Sequence, residues 1–217
     1  MINKLIKKLT DKYELTEINA GEFASLKANG MTFSVRAYEA EGLGHVSVMT
    51  AKGFFGLMKM DTLMIVPKTR DIPLYSYDRI YAMGNDTLIV ELYDTMASAP
   101  DMSALDAAKK AFSYLEERDA GEHWYDSIKL AESISKKGKR AQTGDLDELA
   151  LSHLDAYLAL DGAEVDSIEQ KTERNASYVY GLLEHGGPST DVFKRSLGDQ
   201  RTAELFCRVL FGVPQRK

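Results

Sequence analysis

IPLYSYDRIYAMGNDTLIVELYD, residues 72–94, decides how this chain is read. Strand-like runs over Arg79–Met83 and Thr87–Tyr93 flank Gly84-Asn85-Asp86, a tight-turn signal. Alternation puts Ile89, Glu91 and Tyr93 on one face of the second run, and Leu88, Val90 and Leu92 on the other. One face is therefore polar and aromatic. That pattern fits a ligand cavity between sheet and helices, and equally a partly solvated sheet face. Asp78 stands where the first strand begins, between Tyr75, Tyr77 and Tyr81. A carboxylate among aromatics is desolvated, which raises its pKa and suits it to donate a proton near neutral pH. The structural alternative is an ion pair with Arg79 or Arg70, or a turn-capping Asp.

Working upstream, residues 22–28 and 31–39 alternate around Asn29-Gly30, a pair that tolerates positive φ at both turn positions. Further strand-like runs are His45–Thr50, Phe54–Met60 and Thr62–Pro67. Ile2, Leu5, Ile6, Leu9 and Tyr13 make one apolar stripe of a helix over residues 2–18. Downstream, Asp101 or Ser103 caps a helix running to about Arg118. A helical segment around Trp124–Ser133 and a loop over Lys136–Gly144 follow. Helical patterns then cover Leu146–Leu160, Val165–Leu183, Asp191–Leu197 and Asp199–Phe211. One helix, six or seven antiparallel strands and then several helices predict an α+β chain, a three-layer α/β/α sandwich with a central antiparallel sheet. No linker divides it, so residues 1–217 read as a single domain: N-terminal helix, sheet to about residue 95, helical C-terminal half.

Composition narrows the function. The 217 residues are 44% hydrophobic and 28% charged, with net charge −6 and pI near 5.3. That balance argues against broad nucleic-acid binding. The apolar runs are far shorter than a bilayer span, and the charged N-terminus lacks a signal peptide's apolar core, which predicts a cytoplasmic protein with no membrane partner. Cys207 is the single cysteine, so no disulfide framework or cysteine-built metal site forms within the chain. His45, His123, His153 and His185 show no metal-ligand spacing, and no Walker A, dinucleotide or nucleophile-elbow motif occurs. Lys136, Lys137, Lys139 and Arg140 form a basic cluster, read as a solvated loop or a dock for an acidic partner. Met49, Met58, Met60, Met64, Met83 and Met96 read as adaptable core filler or as the lining of a pocket for a flat ligand.

Two segments resemble the ferredoxin-dependent bilin reductases, relatives of red chlorophyll catabolite reductase. One is Pro67–Asp94, with the block Pro73-Leu74-Tyr75-Ser76-Tyr77-Asp78. The other is the tail Tyr178–Gly212, YVYGLLEHGGPSTDVFKRSLGDQRTAELFCRVLFG, with Val192–Gly198 running on to Val209-Leu210-Phe211. Together they span roughly 60 residues. The resemblance implies the same α/β/α sandwich, a linear tetrapyrrole held between sheet and C-terminal helices, no bound cofactor, and electrons from ferredoxin or a similar acidic donor. It implies that Asp78 is catalytic and protonates the bilin. Asp61, Thr62, Glu91 and Tyr93 are its expected substrate-binding residues. Thr62 falls where several members carry a proton-carrying His, so the reduced double bond, and activity itself, are not implied. Asp155, Asp161 and Asp166 are candidates for a second acid, and Arg195, Arg201 and Arg208 for a second basic patch. Two other readings stand beside the reductase. One is a non-catalytic binding protein for a tetrapyrrole or other apolar ligand. The other is an interaction protein that docks through acidic helices (Asp145–Glu148, Glu164–Glu173).

Overall fold

The structure, a computed structural model, describes residues 1–216; Lys217, the last residue of the span expected as one domain, lies outside the described residues. Eight strands form one antiparallel sheet: β1 Leu15–Ile18, β2 Ser25–Ala28, β3 Met31–Ala40, β4 Gly44–Gly53, β5 Met58–Pro67, β6 Leu74–Ala82, β7 Asn85–Tyr93 and β8 Ile134–Lys139. The order is β1-β3-β4-β5-β6-β7-β8, with β2 sharing the β3 edge with β1. Asn29 and Gly30 both adopt positive φ (48° and 72°), the backbone that a two-residue hairpin of this twist requires. Met83-Gly84 turns β6 into β7 in the same way.

Helices cover both faces, as expected for the three-layer sandwich. On one side lie α1 Ile2–Thr10, α2 Ser103–Ala111 and α3 Thr143–Leu158, packed on Val46, Val48, Leu63, Tyr75, Tyr77 and Val90. On the other lie α4 Ile168–His185, α5 Pro188–Leu197, α6 Asp199–Glu204 and a π-helical turn over Leu205–Leu210. They pack on Phe33, Val35, Met49 and Tyr93.

Polar anchors fix the second helical layer. Lys171 and Asn175 share the inward stripe of α4 with Tyr178 and Leu182. Lys171 Nζ donates to Ile72 O at 2.7 Å and Thr95 O at 3.0 Å, and pairs with Asp71 at 3.3 Å. Asn175 donates to Pro67 O at 2.7 Å. The tail is tied to β4: His45 Nε2 bonds Val209 O at 2.8 Å, and Ser47 donates to Leu210 O at 2.7 Å. Burial pushes His45 down to about 4, so the ring is neutral and Nε2 carries the donated proton.

Several boundaries differ from the sequence reading. The stretch Lys136–Gly144 is not a loop: its first part is β8, with Ile134, Lys136 and Gly138 facing in. Lys136 hides there because Leu115 O accepts its ammonium at 3.0 Å and Glu117 pairs with it at 2.6 Å. Phe54–Met60 is not a separate strand, because residues 54–56 make a short turn and β5 runs unbroken through Asp61. The helix from Ser103 stops at Ala111, and Trp124–Ser133 holds a single 3₁₀ turn rather than a helix. Residues 15–18 leave the first helix to pair with the end of β3.

Candidate functional site

The period of two on β5, β6 and β7 builds one wall of a cavity. Thr62 stands opposite Asp78, Asp78 opposite Ile89, and Ser76 opposite Glu91. All of these, with Tyr93, point toward α4 and the tail, where the sheet and helices enclose a cavity of about 400 Å³. That volume is in the range of small-molecule sites. Met31, Met49, Met58, Met60 and Met64 supply much of its apolar surface, with Phe193, Phe206 and Phe211 opposite. Of the six methionines read as filler or lining, Met49, Met58, Met60 and Met64 line the cavity, while Met83 stands in water at the β6–β7 turn and Met96 lies outside the lining.

Asp78 is half-buried, and the area it exposes faces the cavity. Burial pushes its carboxyl up to about 6; a hydrogen bond donated by Thr62 Oγ1 opposes the rise and the charge of Glu91 adds to it. Neither Arg70 nor Arg79 compensates it. Arg79 points to the opposite face, against Asp86, and Arg70 donates to Leu160 O. Asp78 is therefore an acid held poised in an apolar chamber, not half of an ion pair.

Glu91 accepts from Tyr93 OH at 2.6 Å, and Lys129 Nζ lies 4.0 Å from its other oxygen. Tyr93 stacks on Tyr178 with ring centroids 4.0 Å apart and meets Tyr125 edge-on at 5.5 Å. Burial drives the Tyr93, Tyr125 and Tyr178 hydroxyls upward, so all three stay protonated. A row of neutral phenols thus leads to Glu91. His123 lies parallel to Tyr125 at 4.8 Å and reaches the cavity from the 119–125 loop.

Thr62, Asp78, Glu91 and Tyr93 converge on this cavity, and Asp61 does not. One residue out of phase with Thr62, it faces the α1 layer, 4.0 Å from the Met1 amino group, so its expected place in the substrate pocket is corrected. The candidates for a second acid also fall elsewhere. Asp155 pairs with Lys8 at 2.6 Å on α3, and Asp161 and Asp166 are exposed in the loop before α4. Glu91 is the second carboxylate in the cavity wall. His123, Tyr125 and Tyr178 went unrecognised as site residues, because their loop reads as a helix and Tyr178 as core. The aromatic cluster His123-Trp124-Tyr125 was the available signal.

Trp124, the single tryptophan, fastens that loop. Its ring covers Gly181 and Nε1 donates to Gly186 O at 3.3 Å. A Cβ at Gly181 would meet the ring at 2.2 Å. Gly181→Ala is therefore expected to lift the 119–125 loop and red-shift tryptophan emission, as the partly exposed indole loses its packed face and gains water. An unchanged emission maximum would refute this packing. Among the described residues no cluster suited to a metal ion occurs, and no helix is long and apolar enough to cross a membrane.

No family model matches the chain, and no curated protein does. Solved structures do. Phytochromobilin synthase from tomato, in complex with biliverdin, superposes with a TM-score of 0.73 at 13% identity, over 94% of this chain and 79% of that one. At that identity the likeness is one of architecture: the chain has the fold of a bilin-binding synthase, a three-layer sandwich around an antiparallel sheet.

Proposed function

We propose that this chain is a bilin-reductase-like oxidoreductase. It takes a linear tetrapyrrole into the cavity between sheet and tail and reduces it with electrons from ferredoxin or a similar acidic donor. No cofactor of its own is required in this reading. The observation that supports it most is Asp78, a carboxyl raised to about 6 inside a cavity whose surface is mostly apolar, methionine and aromatic side chains prominent in it. Such a group is protonated often enough near neutral pH to donate, and basic enough as carboxylate to be refilled.

Reducing one double bond takes two electrons and two protons. Two reduced ferredoxins, each oxidised by one electron, supply the first pair. Asp78 gives a proton to the pigment, which makes the first electron easier to accept, and is reprotonated from water. Reprotonated, Asp78 gives the second proton in the same way, while Glu91 accepts from Tyr93 and holds that phenol in the cavity wall. Methionine sulfurs and phenyl faces suit a flat conjugated pigment without fixing it by charge.

A second reading, a non-catalytic tetrapyrrole carrier of the same fold, draws on Thr62. It stands opposite Asp78 with a hydroxyl that does not ionise near neutral pH, so one expected proton carrier is absent. Anaerobic titration with biliverdin, followed by visible absorption, tests both. A stoichiometric spectral shift, followed by bleaching on addition of reduced ferredoxin, is the expected result. A shift without bleaching leaves the carrier, and no shift at tens of micromolar pigment removes both.

A further inference from the structure

The strand register ends in one row that crosses most of the sheet. Ala28 stands opposite Met31, Met31 opposite Gly53, and Gly53 opposite Met58. Met58 in turn stands opposite Ala82, Ala82 opposite Asn85, and Asn85 opposite Lys139. The turns 29–30, 54–57 and 83–84 therefore project from the same end of the sheet, as does Arg140 after β8. That last row and the turns beyond it contain no carboxylate. The cavity reaches this end too: Asn29 and Phe54, both exposed, belong to its lining.

Four of the seven large apolar side chains exposed among the described residues sit on two neighbouring turns at this end. They are Phe54, Phe55 and Leu57 after β4, and Met83 after β6. Phe55 is fully in water at 108% exposure, and Leu57 mostly so at 68%. Phe54 and Phe55 also hold positive φ (51° and 56°), a backbone that bulky residues avoid. At Phe55 no burial offsets that strain. Exposed apolar groups gathered in this way mark a contact surface.

Cations collar this apolar tip. Lys52 and Lys59 are cross-strand partners one row in, and Lys27 lies in the same row across β3. These three stand on the face away from the cavity, whereas Lys139 shares the row of the cavity-lining Met58. All four, and Arg140, are exposed, and none of the five pairs with a carboxylate among the described residues. Lys52 opposite Lys59 is a like-charge pair, which disfavours the sheet by itself. The nearest carboxylates in the sheet are engaged elsewhere. Asp86, in the Lys52 row, is buried against Arg79, and Asp61, farther along that face, lies 4.0 Å from the Met1 amino group. Other basic residues are occupied: Lys137 by Glu116, Arg208 by Glu204, and Arg201 by Glu22.

We infer that this end of the sheet docks on an anionic lipid bilayer, with Phe55 and Leu57 entering the headgroup layer and the five cations resting on it. This docking is independent of what the cavity holds. A protein partner needs a packed apolar core ringed by polar groups. Here single apolar side chains stand out on turns beyond the cations, a form suited to a soft, penetrable surface. No helix among the described residues is long and apolar enough to cross a membrane, so the contact is peripheral. The short apolar runs of the sequence speak against a span and leave surface contact open. With a net charge of −6, the rest of the chain is repelled by such a surface, so the collar also sets orientation. An apolar ligand dissolved in the bilayer would meet the cavity at its exposed end without crossing open water.

The test is co-sedimentation of the full chain with vesicles of phosphatidylcholine, alone or with about 30% phosphatidylserine, at about 20 and about 200 mM salt. The expected result is partitioning at least about tenfold stronger to the anionic vesicles, and weaker at the higher salt. F55S/L57S and K52E/K59E should each weaken it about tenfold, with thermal midpoint and biliverdin affinity unchanged. K52Q/K59Q, which removes the charges without reversing them, should fall between wild type and K52E/K59E. Equal binding to both kinds of vesicle, binding to neither, or binding indifferent to F55S/L57S would overturn the assignment. So would self-association that F55S/L57S abolishes, which would make the tip a contact between copies of the chain. Biliverdin binding is scored separately, so loss of the pigment site and loss of the lipid contact give different results.

Discussion

Asp78→Asn is expected to reduce biliverdin turnover by at least about 100-fold, the range that general acid catalysis supplies, while the pigment still binds. The substitution keeps size and shape and removes the transferable proton. Nothing in the fold needs the charge, since no cation compensates Asp78 and its one hydrogen bond comes from Thr62. Retained binding with lost reduction would locate the effect in proton donation. Full activity in the variant would show that the pigment takes its proton elsewhere, and would sink the role assigned here.

The same carboxyl sets two pH dependences. As a donor it acts in the protonated form, so kcat/KM should fall tenfold per unit above about pH 6, and Asp78→Asn should lose that limb. Stability moves in the same direction. The folded pKa lies above the ordinary 3.8, so the stabilising contribution is complete below 3.8 and is lost as pH rises through about 6. The shift corresponds to roughly 3 kcal/mol at about 1.4 kcal/mol per pKa unit, reduced by whatever water the cavity admits. Urea unfolding at pH 4 and pH 7 should therefore show Asp78→Asn gaining on the wild type at the higher pH. An equal difference at both values would contradict the raised pKa.

The features legible in the sequence were those with a local cause. Asn29-Gly30 marks its hairpin because few residue pairs tolerate that turn, and the alternation of Leu88–Tyr93 gives the phase of β7 directly. Asp61 was misplaced because its neighbours Leu63, Ile65 and Val66 are all buried, so apolar residues on both faces leave β5 without a readable phase. Strand β8 was hidden for a different reason. Its sequence ISKKGK looks solvated, and only partners distant in the chain, Leu115 and Glu117, make a buried Lys136 tolerable. The aromatic wall of His123, Tyr125 and Tyr178 joins a loop to a helix far along the chain, a juxtaposition that periodicity within either segment does not encode.

Asp86→Ala is expected to cost about 3–5 kcal/mol of folding stability, the largest effect predicted for any single substitution in this chain. Asp86 and Arg79 are both buried on the α3 side of the sheet, at 1% and 0% exposure. Arg79 Nε lies 2.5 Å from Asp86, Thr143 Oγ1 also donates to that carboxylate at 2.8 Å, and Asp147 stands 3.5 Å from the guanidinium. The pair holds Arg79 firmly charged, its pKa raised by the bonds to Asp86 against the cost of burial. Removing Asp86 leaves a desolvated cation with one partly exposed carboxylate and a backbone oxygen. Replacing both partners with apolar residues, as in R79M/D86L, removes the charges together and should recover most of the loss. Equilibrium urea unfolding of the three proteins measures this. If the double variant is as unstable as Asp86→Ala, packing rather than an uncompensated charge sets the cost. If Asp86→Ala loses under about 1 kcal/mol, the pair contributes little to holding α3 on the sheet. Arg79 follows Asp78 in the chain and faces the opposite side, so the single strand β6 carries both a carboxyl left without a cation toward the cavity and a cation paired with Asp86 toward the core. Loss of the pair should therefore leave pigment affinity intact in protein that remains folded, which separates the stabilising face of β6 from the proposed reactive one.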